Sequence, residues 1–168
     1  MMAEKDTVFS SKIKYGGIFS FSNLYKFCYD WLSEETGIGI SEDKYVEKLS
    51  GDSKDVEFEW SGSKKVTDYF RFDYKIKFKI NGLTNVELVK EGKKTRTNKG
   101  SVEIGVKGIL VRDYQGKFES SSFQKFLRGV YEKWVISSRI EDYEGKVFGD
   151  CDEFLAQAKS FLDLEGKR

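Results

Sequence analysis

Apolar residues keep to one parity along four stretches of the chain: Val56, Phe58 and Trp60; Val66, Phe70, Phe72, Tyr74, Ile76, Phe78 and Ile80; Val86 and Leu88; Val102, Ile104, Val106 and Leu110. Successive side chains of a strand point to opposite faces, so this alternation predicts an antiparallel meander with one face buried and the other wet. The interleaved positions, among them Glu57, Glu59, Lys75, Lys77, Lys79, Glu103 and Lys107, are charged and suit cross-strand pairing on the wet face. Ile109 and Val111 interrupt that polar face and point to cover at one end of the sheet.

Turn chemistry places breaks at Ser61 to Lys65, at Asn81–Gly82 and over a long segment from Lys90 to Gly100. A strict two-residue Asn81–Gly82 loop would put Glu87 on the buried face, so a three-residue or bulged turn is expected there. Gly105 and Gly108 inside the last strand suggest a bend or a close backbone approach. Before the meander, residues 7 to 15 read as a first strand ended by Gly16 and Gly17, and Lys44 to Leu49 as a short strand.

Three stretches carry helical spacing. Ser20 or Ser22 caps a helix with the stripe Leu24, Phe27, Cys28, Trp31 and Leu32, closed by Gly37 in the left-handed conformation. Ser120 to Ser122 cap a second, whose Phe123, Phe126, Leu127, Val130, Tyr131 and Trp134 read as an inward stripe and which bends or restarts near Ser137 and Ser138. A last helix from about Asp152 to Leu164 buries Phe154, Leu155, Ala158, Phe161 and Leu162, with Asp150, Asp152 and Glu153 favouring its N-terminus.

The expected architecture is therefore α+β: a curved antiparallel meander of four to six strands with amphipathic helices on one face. Strand, helix, long meander and terminal helix is the order of helix-grip domains, a likeness of topology that carries no motif residues. The 168 residues suffice for one good core, so residues 1–168 are read as a single domain.

Composition narrows the chemistry. The chain has no His and no Pro, which removes the commonest general base and the commonest metal ligand, and with them a Ser-His-Asp triad or a Cys2His2 finger. Cys28 and Cys151 are far apart and form no CxxC pair, and no apolar run reaches the about 20 residues of a membrane span. The opening residues show no apolar signal region, so a reduced, cytoplasmic protein is expected. Basic and acidic residues number 29 and 28, so any attraction to an anionic partner has to be local.

Two sets of residues form candidate sites. Trp60, Phe70, Phe72, Tyr74, Phe78 and Trp134, with Asp68 as a polar anchor, would line an aromatic pocket for a small hydrophobic molecule. Lys90, Lys93, Lys94, Arg96 and Lys99 would hold nucleic acid or an anionic membrane surface, although no aromatic interleaves them for base stacking. The basic tip and the acidic stretch around Asp150 also permit self-association into a homo-oligomer. No residue pattern names a catalytic group, a metal or a cofactor. The expectation is a non-enzymatic binding domain, holding a hydrophobic ligand between sheet and C-terminal helices or, alternatively, an anionic or protein partner.

Overall fold

A computed structural model describes residues 4–118 and 121–167. Five strands, β1 (Glu4–Phe19), β2 (Gly39–Ser50), β3 (Ser53–Lys65), β4 (Phe70–Lys90) and β5 (Lys93–Arg112), form an open antiparallel sheet in the order β1-β5-β4-β3-β2. Between β1 and β2 lies α1 (Phe21–Trp31), and after β5 come α2 (Ser122–Val130) and α3 (Ser137–Gly166). The fold is α+β. Ser20 accepts from the Asn23 backbone at the start of α1, Ser121 does the same for Gln124 in α2, and Gly37 (φ 75°) ends the first helical segment. Ser120 lies outside the described residues.

Val56, Phe58 and Trp60, the even-numbered residues from Phe70 to Ile80, and Val102, Ile104, Val106 and Leu110 are buried and make the sheet's share of the core, with α1 and α3 supplying Leu24, Phe154 and Leu162. Phe58 and Phe78 stack with centroids 4.4 Å apart, and Trp60 meets Phe78 edge-on at 4.8 Å. Phe27 of α1 stacks on Phe161 of α3 at 4.8 Å, which joins the two helices over the sheet. At Gly108 a Cβ would lie 2.6 Å from Cys151 Sγ and 2.7 Å from Val147 Cγ1, so α3 rests directly on the β5 backbone. Ile109 and Val111 are buried at the end of the outer face where the Tyr114 ring lies beside Lys65 and Arg71.

Several boundaries differ from the sequence reading. Gly16 and Gly17 do not end β1, because they pair with Ser101 and Gly100 and the strand runs on to Phe19. Ser61 to Lys65 belong to β3, and the turn falls at 66 to 69, where Val66 N–H donates to Phe70 O at 3.0 Å. Asn81–Gly82 is a bulge inside one long strand: Asn81 pairs with Ser101, Thr84 with Lys99, and Gly82 (φ 64°) donates its N–H to Asp55 at 2.9 Å. The segment 90 to 100 is no long turn, since only Glu91 and Gly92 reverse the chain. α3 already starts at Ser137, which puts Asp150, Asp152 and Glu153 in mid-helix rather than at an N-terminus.

Both outermost strands carry a slip in pairing, between Thr7 and Phe9 on β1 and between Glu42 and Lys44 on β2. Among the described residues, no helix is long and apolar enough to cross a membrane.

Candidate functional site

α2 is amphipathic, but its orientation is the reverse of the expected one. Phe123, Phe126, Leu127, Val130 and Trp134 turn away from the sheet, and Arg128 is the residue of α2 that is buried. Polar anchors cause the inversion. Arg128 Nη2 donates to Glu4 at 2.7 Å and Nη1 to Asp113 at 3.4 Å, so the helix docks by its charged side onto the start of β1 and the end of β5. One turn further on, Arg112 Nη1 donates to Glu132 at 2.6 Å and its Nε lies 2.9 Å from Asp6. Charge-assisted bonds of this kind hold a buried guanidinium only where every partner is in place.

Asp113 is the hub of the anchor. It is fully buried, sits in the left-handed region at φ 53° and accepts from the Lys117 and Phe118 backbones at 2.8 and 3.1 Å. Beside it Tyr69, Phe118 and Tyr131 form a small ring cluster. Burial first, then the Glu132 carboxylate, pushes the Tyr69 phenol above its usual range.

A single π turn, Tyr131–Val135, follows α2, with Ile136 N–H reaching back to Tyr131 O at 3.1 Å. The extra residue keeps Trp134 on the outward stripe and sets Val135 in solvent as well, at 72% and 64% exposure. Phe123 and Phe126 are 67% and 65% exposed, so four large apolar side chains stand out on one stretch of 14 residues (Ser122–Val135). Large apolar side chains exposed singly are ordinary on a folded domain, whereas a group of them along one helix is unusual.

The residues singled out from sequence separate. Trp60, Phe70, Phe72, Tyr74 and Phe78 lie together, buried in the layer between sheet and helices. Trp134 does not join them: the Arg112 and Arg128 anchors turn its side of the helix outward. Asp68 is exposed in the turn between β3 and β4, whereas those rings are buried. Around Tyr74 the neighbours are Asp150, which accepts its hydroxyl at 3.0 Å, and Cys151, whose thiol burial and the Asp150 charge push up to about 12.

The basic hairpin is also divided. Lys90 and Lys93 face one another across the tip, whereas Lys94 and Arg96 pair with Val89 and Glu87 on the other side of the ribbon. Lys99 sits at the base, level with Ile18 and Thr84. No protein-family model, no curated protein and no solved structure matches this chain.

Sequence reasoning missed the anchoring set Glu4, Arg112, Asp113, Arg128 and Glu132. The available signal was Arg128 and Glu132 at i and i+4, opposite the apolar stripe, facing the Arg112–Asp113 pair that ends β5.

Proposed function

We propose that this chain is a non-enzymatic binding domain that recognises a protein partner through the outward face of α2. The observation that carries the reading is the inversion itself: a helix with five apolar residues at i, i+3, i+4, i+7 and i+11 is fastened by its polar side. That spacing is the one by which a helix fills an apolar groove. Leaving such side chains in water forgoes about 1.5–3 kcal/mol each, which supports a partner that covers them.

The rings Trp60, Phe58 and Phe78 pack on one another, which favours the surface over an interior pocket as the recognition element. Under this reading the helix-grip-like order serves as a rigid support for α2. Tyr69, Tyr74 and Cys151 are held neutral by burial, while hydrogen bonds from Tyr45 and then Lys54 hold Glu47 ionised and one from Lys12 does so for Glu103, and neither pattern arms a general acid or base near neutrality. Two buried free thiols suit a reducing, cytoplasmic setting.

The test is a photoreactive residue installed at Phe126 in living cells. The expected result is one discrete protein adduct that disappears when Trp134→Asp is added. Adducts with lipid, with a second copy alone, or with nothing above background overturn the reading.

A further inference from the structure

The wet face of the sheet is organised by charge in a way that the proposed docking helix does not use. Its rows alternate acid and base: Lys12 meets Glu103 at 3.1 Å, Lys77 meets Glu59 at 3.4 Å, and Lys44 meets Glu57 at 3.1 Å. One transverse row departs from this. Ser10 pairs with Lys107, Lys107 with Lys75, Lys75 with Ser61, and Ser61 with Ser41.

Lys75 and Lys107 are therefore directly opposed on neighbouring central strands, an arrangement that like charges make unfavourable. Among the described residues, neither of them nor Lys79 stands within ion-pair distance of a carboxylate. The Lys12 hydrogen bond, followed by the charges of Lys12, Lys14 and Lys79, holds the neighbouring Glu103 carboxyl below its usual range.

These residues lie in a trough of about 860 Å³ on the face opposite the helices. Gly105, beside the Lys75–Lys107 pair, leaves its floor bare, and the rings beneath, Trp60 and Phe78, are buried from the other side. No exposed ring is offered for base stacking, so the trough lacks the platform that single-stranded nucleic acid uses. It offers instead ammonium groups at the centre and, around them, Ser10 and the carboxylates Asp43, Glu57, Glu59 and Glu103, which accept hydroxyl protons. Its volume falls in the range of small-molecule sites, about 300–1,000 Å³.

We infer that this trough binds a phosphorylated sugar or polyol, its phosphate between Lys75 and Lys107 and its hydroxyls on the surrounding serine and carboxylates. A dianion at that place relieves the opposed charges and makes charge-assisted bonds to both ammonium groups.

The experiment follows backbone amide shifts of the whole chain during titration with glucose 6-phosphate, glucose, inorganic phosphate and a thymidine oligonucleotide. Glucose 6-phosphate is expected to give a saturable shift at Ser10, Lys75 and Lys107, with inorganic phosphate about tenfold weaker, glucose silent, and added salt weakening the binding. Lys75→Ser with Lys107→Ser is expected to lower affinity at least about tenfold, whereas Lys93→Ser with Lys94→Ser leaves it unchanged. All four lysines are exposed, so these variants keep the fold. Unaltered affinity in the Lys75/Lys107 variant, equal affinity for inorganic phosphate, or binding of the oligonucleotide alone overturns the inference.

Discussion

The Tyr74 hydroxyl on β4 donates to the Asp150 carboxylate on α3 at 3.0 Å, a polar tie between the two layers of the fold. Burial, then the Asp150 charge, then this hydrogen bond raise the phenol above its ordinary 10.0. A raised folded pKa makes a contribution that is complete below the unfolded value and is lost as pH climbs past it. Stability is therefore expected to fall above about pH 10, and Tyr74→Phe to flatten that fall while costing about 1 kcal/mol at neutral pH. Urea midpoints at a series of alkaline pH values read both effects, and an equally steep decline in the variant would assign the loss to other groups. The Cys28 and Cys151 thiols, from about 9 upward, and the Tyr15, Tyr25, Tyr45 and Tyr69 phenols, from about 10, are also raised, act with the same sign and remain in the variant, so Tyr74→Phe removes one share of the fall.

The approach of α3 to β5 gives a second prediction. Gly108→Ala is expected to cost about 1–3 kcal/mol through overpacking against Cys151 and Val147. Adding Cys151→Ala removes the closer of the two contacts and is expected to restore part of the loss, a coupling that a double-mutant cycle of thermal or urea unfolding measures. Strict additivity would mean that the helix simply shifts aside.

Removal of one guanidinium should free α2 without unfolding the sheet. Arg128→Met leaves Asp113 buried beside two backbone donors and deprives Glu4 of its partner, at a cost of about 3 kcal/mol. Hydrogen exchange is expected to quicken over residues 122–135 while amides of β3, β4 and β5 keep their protection.

The outward face makes no such contribution to folding. Phe123→Ser, Phe126→Ser and Trp134→Ser together are expected to leave the thermal midpoint within about 0.5 kcal/mol of the parent, the range for surface changes. A loss of several kcal/mol, as for side chains in a core, would place these residues inside.

The sheet was legible because period-two burial leaves a direct trace: every even residue from Phe70 to Ile80 is buried, as the alternation requires. The Glu87 register conflict likewise announced the bulge at Gly82, although not that β4 continues unbroken through it. The orientation of α2 was not legible. Helical spacing reports that Phe123, Phe126, Leu127, Val130 and Trp134 share a stripe, but not whether that stripe or Arg128 and Glu132 meets the protein. That choice depends on Glu4, which is 124 residues from Arg128 in the chain and becomes its neighbour only through the pairing of β1 with β5. The opposition of Lys75 and Lys107 was hidden for the same reason, since strand register decides it.

The two pairing slips, at Thr7/Phe9 and Glu42/Lys44, fall on the two rims where the backbone has no further neighbour. A slip of this kind bends and twists the strand locally, and on β2 Glu42, Asp43 and Lys44 add charge at the same place. On a sheet that ends openly on both sides, irregular and charged edges disfavour the edge-to-edge pairing by which separate copies join into fibres.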